Sequence, residues 1–444
     1  MGLGMRAVSY SDRQANKLLT LLLIAYILSF IDRNIMSVLI GPIRQDFDIS
    51  DFQYSLLHGF AFSMFYIALG LPIARWADRY PRLNIISIGV GLWSLMTCLC
   101  GFTKGFMSLF VTRIGVGVGE AALSPPAVSI MSDIFTPEKL PKATAVYSLG
   151  ITLGGGLAYI LGSYVYNFFK AFAPIDLGFL GEMQAWQVTF IVVGVPGFLV
   201  ALALRLMPEP ERRNANQNTN QTLDEAPSIR EVGQYFANHW RIYLGIMGSM
   251  SLMSVLGYGV MAWYPEMLIR VYGVERSVAG GQFGLVFIIA GSVGALIGGW
   301  ICSALIKKGI VDAPVRIILF VALLWGVPSA WGPLSGDAGT ASLMAWFIVL
   351  FLNSYFGVGV TAVSLVTPNE MRAQATAVLF FFCNLFGLAF GPTAVAILTD
   401  FIFGSDGALN LSLGFLPAIV LPPSLVLAYL ALKPYRELML TQSN

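Results

Sequence analysis

Four charged side chains lie inside stretches of sequence that are otherwise apolar: Asp32 and Arg33 in one stretch, Arg113 and Glu120 in another. An ionisable group within a lipid bilayer costs at least a few kcal/mol, so its presence there points to function. A carboxylate can bind and release a proton, and a guanidinium can hold a phosphate or carboxylate through two parallel hydrogen bonds. We therefore predict proton coupling at Glu120 and Asp32 and substrate binding at Arg113 and Arg33.

The spacing of these residues predicts how they are arranged. Arg113 and Glu120 are two helical turns apart, so they share one face of their helix. Asp32 and Arg113 each lie about seven residues from the outer end of their spans, roughly 10 Å deep, and could pair. Glu120 lies deeper without an obvious partner, which favours it as the proton carrier. Gly115 and Gly119 between them predict close helix packing.

The same four charges have a second interpretation. They could form a static network of ion pairs that pins the first span to the fourth and takes no part in transport. The sequence leaves both interpretations open.

The composition of the chain is that of a membrane protein. Of its 444 residues, 57% are hydrophobic and 11% are charged, and the mean hydropathy is +0.74, whereas a soluble domain is about 25% charged. A helix needs about 20 mostly apolar residues to cross a bilayer. Such stretches recur near residues 19–39, 55–75, 83–103, 106–131, 143–164, 187–207, 242–264, 279–306, 315–333, 342–366, 373–402 and 411–432.

The pattern predicts an all-α integral membrane protein with 12 transmembrane helices in two pseudo-symmetric six-helix bundles. We place the bundles at 19–207 and 241–432, with a polar linker at 208–240 between them. Residues 1–18 form an N-terminal segment and residues 433–444 a tail. Lys and Arg are concentrated in the loops on the side of both termini, which predicts that both termini are cytoplasmic. The compact loops favour a bacterial inner membrane.

Two short segments indicate that the halves are repeats of one another. TPEKLPKATAV (136–146) follows the fourth span, and TPNEMRAQATAV (367–378) follows the tenth. Each begins with Thr-Pro, carries charge in a short loop, and enters a helix through Ala-Thr-Ala-Val. Two parallel repeats of this kind are typical of secondary transporters, whose substrate site lies between the halves near the bilayer midplane.

Several motifs resemble those of the major facilitator superfamily. ARWADRYPR (74–82) is similar to its signature loop, although Pro81 stands where glycine is usual, and GITLGGGLAYILG (150–162) is similar to its glycine-rich fifth span. Within the superfamily, FIDRN (30–34), RIGVGVGEA (113–121) and SDIF (132–135) resemble the spinster family, and bacterial spinster homologues in particular. The resemblance implies a transporter that works by alternating access.

The resemblance also implies a role for charges at the cytoplasmic ends of the spans. In the superfamily such residues latch the two halves together on that side, and here they would be Asp78, Arg79, Arg82 and Asp133. The alternative is that they are ordinary positive-inside charge, which sets orientation only.

The second half contrasts with the first because its spans are rich in aromatic residues and poor in interior charge. Asn353 and Asn384 are its candidate substrate-binding residues, with simple interhelical hydrogen bonding as the alternative. A charged half facing an apolar half suits an amphipathic anion, and spinster members are associated with lysophospholipids and sphingosine 1-phosphate. A small organic anion such as a sugar acid is the alternative substrate.

Other function classes find little support in the sequence. The chain has two histidines, no G-x-S-x-G motif and no P-loop, so we expect neither an enzyme nor an ATP-driven pump. Its four cysteines lie in apolar segments without a CxxC pair, so we expect no metal and no cofactor. The net charge of +2 argues against nucleic acid as a partner. We expect a monomer whose partners are the bilayer, protons and the substrate.

Overall fold

The computed structural model describes residues 10–136, 138–176, 178, 181–212 and 229–443. Nearly all of these residues are helical, and the strands among them are β1 (Ile175–Asp176) and β2 (Glu182–Met183), which pair antiparallel. Eleven of the described helices are long and apolar enough to cross a membrane. The prediction of an all-α membrane protein is confirmed.

The first half of the chain contains six spans. They are helices Asp12–Phe47, Ala61–Arg79, Arg82–Cys100, Phe106–Ile134, Leu140–Lys170 and Ala185–Arg205. The fourth span consists of two α-helical parts, Phe106–Glu120 and Ser124–Ile134, joined by a turn. Before the second span lie a short helix, Asp51–Ser55, and a π-helical turn, Leu56–Phe60.

The second half also contains six spans. They are Trp240–Arg270, Arg276–Lys307, Ala313–Leu334, Ala338–Val366, Asn369–Phe403 and Asp406–Thr441, with the last α-helix running over Leu409–Ser443. The tenth is made of Ala338–Ser354 and Phe356–Val366. The eleventh is made of Asn369–Met371 (3-10), Arg372–Asn384, Leu385–Phe390 (π), Gly391–Ile397 and Leu398–Phe403 (π). Asp406–Ala408 is a 3-10 turn.

The second predicted span differs from the others in composition. Its helix, Ala61–Arg79, carries Arg75, Asp78 and Arg79 in its last five residues, which shortens its apolar part. Together with the eleven more apolar helices it completes the predicted set of twelve spans within the described chain. The predicted linker, 208–240, contains a helix at Ile229–Asn238, while residues 213–228 lie outside the described residues.

The described residues fall into two compact units, one for each half of the chain. In both units the first span packs on the fifth, the second on the fourth and the third on the sixth. The same packing order in both units supports the two six-helix repeats predicted from the sequence. One short segment departs from this division, because Ser50–Ser55 belongs to the unit formed by the second half.

Glycines in the fourth span allow close contact with its neighbours. A Cβ atom on Gly119 would lie 2.7 Å from the Trp93 backbone nitrogen, and one on Gly115 would lie 2.6 Å from the Met96 side chain. A Cβ atom on Gly117 would collide with the carbonyl oxygen of Phe62. The predicted close packing at Gly115 and Gly119 is confirmed, and Gly117 brings the second span equally near.

Polar residues fix several helix ends outside the apolar core. Ser11 and Gln14 form a capping box at the start of the first span. Asp337 caps the tenth span by accepting a hydrogen bond of 2.7 Å from the Thr340 backbone N–H. Hydrogen bonds from the backbone and side chain of Thr340 and from the Gly339 backbone lower the pKa of the Asp337 carboxyl.

A buried carboxylate connects the third and sixth spans of the second unit. Asp312, just before the ninth span, is 2% exposed. It accepts hydrogen bonds from Arg316 Nε at 2.8 Å and from Arg436 Nε and Nη2 at 2.9 and 2.6 Å. Burial alone would raise the pKa of this carboxyl, but the hydrogen bonds and charges of Arg436 and Arg316 outweigh burial and lower it below 3.8.

We expect Asp312→Asn to lower the thermal stability of the detergent-solubilised protein. The substitution leaves two arginines without their carboxylate, a loss on the order of 1–3 kcal/mol. Because the folded-state pKa is lowered, the contribution of Asp312 is fully present above the unfolded-state pKa. It disappears as the pH falls through the folded-state value, so wild type and variant should converge in acid. Melting curves between pH 3 and pH 8 measure this.

Glu437→Gln is the matched control. The Glu437–Lys433 pair is 3.9 Å apart and largely exposed, so its removal should leave the melting temperature unchanged. An Asp312→Asn variant that melts like wild type at every pH would show that the Asp312 contacts contribute no stability.

Candidate functional site

The four charged residues singled out from the sequence lie together within the first unit. Asp32 and Arg33 belong to the first span, and Arg113 and Glu120 to the fourth. Their exposed fractions are 2% for Asp32, 8% for Arg33, 0% for Arg113 and 1% for Glu120. Buried charges need partners, because burial without one costs several kcal/mol, so the contacts of these groups determine what the site can do.

Glu120 has a partner that the sequence did not predict. Its Oε2 atom accepts hydrogen bonds of 2.7 Å from Arg33 Nη2 and from Ser29 Oγ. Its Oε1 atom has no hydrogen-bond partner among the described residues. Glu120 is therefore a paired carboxylate whose second oxygen has no hydrogen-bond partner in the described part of the chain.

Arg113 does not form the predicted ion pair with the Asp32 carboxylate. Its Nη1 atom instead donates to the backbone carbonyl oxygen of Asp32, at 3.3 Å. In the described part of the chain, its Nε and Nη2 atoms have no hydrogen-bond partner. The pairing expected from depth was wrong because Arg33, one position along the helix, reaches Glu120. Arg113 is left with unused donors.

Three aromatic rings surround the guanidinium of Arg33. Its carbon lies 4.8 Å from the ring centres of Phe30 and Phe62 and 5.0 Å from that of Tyr66. The Arg113 guanidinium lies 5.6 Å from the same Phe62 ring. Cation–π contacts of this kind stabilise a desolvated cation by about 2 kcal/mol. Sequence reasoning missed these rings, although Phe30 lies one helical turn before Arg33.

Local backbone features bring the Phe62 ring close to both arginines. The π-helical turn Leu56–Phe60 ends two residues before it, and such turns often occur at functional sites. Gly117 lies against the Phe62 backbone, where any side chain would prevent the approach. The first, second and fourth spans therefore all contribute to the site.

The candidate residues of the second half lie in the second unit. The Asn353 Nδ2 atom donates to the Val349 carbonyl oxygen of its own helix at 3.0 Å. Asn384 is half-buried at the junction between an α-helical part and the π-helical turn Leu385–Phe390. The first contact agrees with the simple hydrogen-bonding alternative, and a role of either residue in substrate binding stays a prediction.

The predicted latch residues have different environments. Arg82 is 1% exposed and donates to Asp133, to Glu209 at 3.1 Å and to Ser129 at 3.0 Å, all within the first unit. Arg79 is exposed, and Asp78 lies in the last turn of the second span. Glu209 was missed; its carboxylate also accepts the backbone N–H groups at the start of the third span.

The second unit contains a buried ionic network that sequence reasoning missed. Glu266 is 3% exposed and contacts Arg270 at 3.5 Å and Arg276 at 3.2 Å. Arg270 also holds Asp51 through two hydrogen bonds, of 2.7 and 3.1 Å. Arg270 and Arg276 lie between the predicted spans 242–264 and 279–306, and Asp51 comes from the distant segment Ser50–Ser55, so only the fold brings them together.

Known proteins resemble this chain along most of its length. A model of the Major Facilitator Superfamily matches residues 22–392. An MFS-type efflux pump of Mycolicibacterium smegmatis is 26% identical over 389 residues, covering 86% of this chain and 83% of that protein. A probable L-galactonate transporter of Escherichia coli is 23% identical over 451 residues, covering 98% and 93%. The sphingosine-1-phosphate transporter SPNS2 of Danio rerio is 24% identical over 402 residues, covering 84% and 74%.

A solved structure agrees with these relatives. The crystal structure of a bacterial homologue of the human lysosomal transporter Spinster, inward-facing and unoccupied, has a TM-score of 0.80 at 26% identity and covers 97% of this chain and 98% of that one. Twelve spans in two repeats, the charged cluster of the first unit and the match over residues 22–392 lead to one assignment. The chain belongs to the Major Facilitator Superfamily and is a transporter of the spinster type.

Proposed function

We propose that this protein is a proton-coupled secondary transporter that moves an amphipathic, anionic, lipid-like solute by alternating access. The single observation that carries the proposal is the buried Arg33–Glu120 pair, which leaves Glu120 Oε1 free and lies beside the unused donors of Arg113. A carboxylate that can take up a proton next to a guanidinium that can take up an anion is the minimum that such coupling needs.

Charge balance links the two binding events. With both carboxylates ionised, the charges of Asp32, Arg33, Arg113 and Glu120 cancel. A proton on Glu120 gives the cluster one net positive charge and weakens the hold of Glu120 on Arg33. An anion then binds more tightly, and by reciprocity a bound anion favours the proton. Asp32, whose backbone already contacts Arg113, serves as the second carboxylate of the cluster.

The geometry favours Arg113 as the group that meets the substrate. Its Nη2 and Nε atoms form the fork that suits a phosphate or a carboxylate. Arg33 is engaged by Glu120 and becomes available when that carboxylate is protonated. Aromatic spans of the second half, with Asn353 and Asn384, would accommodate the apolar part of the substrate.

The relatives support two substrate classes. SPNS2 is named as a sphingosine-1-phosphate transporter, which agrees with a lipid-like anion. The probable L-galactonate transporter matches 98% of this chain, which favours a small sugar acid as the second candidate. Substrates of both classes carry an anionic group that Arg113 could bind. Only the lipid-like substrates also have an apolar tail, which must contact an apolar surface of the protein.

We further propose that the protein functions as a monomer in a bacterial inner membrane with both termini cytoplasmic. The excess of Lys and Arg in the loops on that side supports this orientation. In the same proposal, Asp78, Arg79, Arg82 and Asp133 latch the cytoplasmic side. Arg82 and Asp133 already bind each other within the first unit, so latching would require them to exchange or share partners.

We expect Glu120→Gln to reduce substrate accumulation driven by a pH gradient in proteoliposomes tenfold or more. Exchange of labelled for unlabelled substrate should be unaffected. Glutamine cannot ionise, but its carbonyl oxygen can still accept from Ser29 and Arg33, so folding should survive. Glu437→Gln, at an exposed site, is the control. A Glu120→Gln variant that cannot be purified in folded form would favour the static ion-pair network instead.

We expect Arg113→Lys to raise the substrate KM about tenfold with a smaller effect on kcat, because lysine keeps the charge and loses the fork. Uptake should be measured with a panel of labelled lysophospholipids, a sphingoid phosphate and sugar acids. Arg33→Lys keeps the positive charge beside Glu120. This variant should alter the pH dependence of uptake more than the substrate KM. Uptake of sugar acids alone would establish the second candidate substrate class.

We expect Asp78→Asn to shift the distance between spin labels on the ends of the two halves toward longer values, because a latch would be weakened. Labels at exposed positions in the loops after the second and eighth spans report this by double electron–electron resonance. A distance distribution equal to that of wild type would leave only the orientation-setting role for these charges.

A further inference from the structure

One face of the second span forms a concave site at the end of that helix. Pro72, Arg75, Trp76 and Arg79 line it, and it has a volume of about 540 Å³. Their spacing of three, four and seven residues puts all four on the same face of the helix. The site therefore has two guanidinium groups one turn apart with an indole ring between them.

The two arginines differ from their neighbours because no acceptor contacts them in the part of the chain that the structure describes. Arg75 and Arg79 are exposed, and neither has a hydrogen bond or an ion pair with any described residue. Other arginines at this end of the unit do have acceptors. Arg82 contacts Asp133 and Glu209, Arg205 contacts Asn84, and Arg212 contacts the Ala77 and Tyr80 carbonyl oxygens.

The contacts of Arg212 show that Arg75 and Arg79 are not needed to cap the C-terminus of the second span. Basic residues near a helix C-terminus commonly satisfy its last carbonyl groups. Arg212 Nη2 already does this, at 2.6 Å from Ala77 and 3.1 Å from Tyr80. Arg75 and Arg79 are therefore not needed to complete the helix end, and their donors remain available to a ligand.

The aromatic residues indicate what kind of ligand the site takes. Trp76 is 59% exposed and Tyr80 is 61% exposed, at the end of a membrane-spanning helix. Exposed tryptophan and tyrosine at such a place lie at the level of lipid headgroups, where one end of the ring is apolar and the other is wet. A soluble anion would contact only the arginines, whereas a lipid would contact the arginines with its headgroup and the apolar ring surface with its acyl chains.

We propose that this face binds the phosphate of an anionic diacyl phospholipid from the leaflet at this end of the helix. Arg75 and Arg79 hold the phosphate oxygens, and Trp76 packs against the glycerol and the upper acyl chains. Asp78 is the only carboxylate in the last turn, and with Arg75, Arg79 and Arg212 nearby the helix end keeps a net positive charge. The site is separate from the Arg33–Glu120 cluster, so it stands whether or not proton coupling does, although it shares Arg79 with the proposed latch.

The test uses the fluorescence of Trp76 in bilayers that contain brominated lipid, which quenches a tryptophan in direct contact. The full-length protein is reconstituted in phosphatidylcholine with a minor fraction of brominated phosphatidylglycerol or brominated phosphatidylcholine. The chain has nine tryptophans, so the Trp76 signal is taken as the difference between each protein and its Trp76→Phe counterpart. We expect Trp76 to be quenched preferentially by the anionic lipid.

The Arg75→Gln/Arg79→Gln variant should weaken this preference on the order of 20-fold, because each arginine near an anionic surface contributes about fivefold. The preference should also fall in 1 M salt, where screening acts over about 3 Å. Arg13→Gln/Lys17→Gln is the matched control, since these exposed basic residues have the same spacing on the first span and no aromatic residue of the site. The control should keep the preference.

Three results would overturn the proposal. Equal quenching by the two brominated lipids in the wild-type protein would show that no anionic lipid is selected. An equal loss of the preference for anionic lipid in the Arg13→Gln/Lys17→Gln control would show that the preference comes from the general positive charge at these helix ends and not from this site. Displacement of the brominated lipid by glycerol 3-phosphate at similar concentration would assign the site to a soluble anion.

Discussion

The ion pair between Arg33 and Glu120 is the contact on which the architecture of the first unit depends. Two opposite charges at 2.7 Å, both almost fully buried, are tolerable in an apolar bundle only when each is hydrogen-bonded and held in place. The structure meets that requirement with the Ser29 hydroxyl, with the aromatic rings around the guanidinium and with the close approach that Gly117 allows at Phe62. Three spans must keep their relative positions for the pair to exist, so any change in its protonation acts on all of them at once.

A second ionic arrangement recurs in both units with the charges exchanged. In the first unit an arginine at the start of the third span, Arg82, binds a carboxylate that follows the sixth span, Glu209. In the second unit a carboxylate before the third span, Asp312, binds an arginine in the sixth, Arg436. The repeats therefore preserve the attraction between these two helix ends and not the sign of either partner. This explains why the repeat is clear in the packing of the spans but faint in the residues at this position.

The sequence predicted the spans and the glycine contacts because both depend on local patterns. A run of apolar residues must form a helix in lipid, since its backbone polar groups have no other partners there. It could not predict the partner of Glu120, because Asp32 and Arg33 are adjacent and lie about 100° apart around the helix. Which of them faces the fourth span depends on helix rotation, and depth says nothing about rotation. The ion pairs of Glu266 could not be predicted for a related reason. Its partner Arg270 also pairs with Asp51, which comes from a distant segment of the chain.

Many buried hydroxyls in the spans of both units are satisfied within their own helix, and the exceptions bear on mechanism. Ser163 donates to the Tyr159 carbonyl oxygen in the first unit, and Ser251 donates to the Met247 carbonyl oxygen in the second, in each case one turn earlier in the same helix. Such bonds are self-contained within one helix and do not change with pH. In the first unit, Glu120 and Arg113 keep unused acceptor and donor atoms among the described residues. In the function proposed above, a proton or an anion would satisfy these atoms, and the binding energy released there would be available to drive transport.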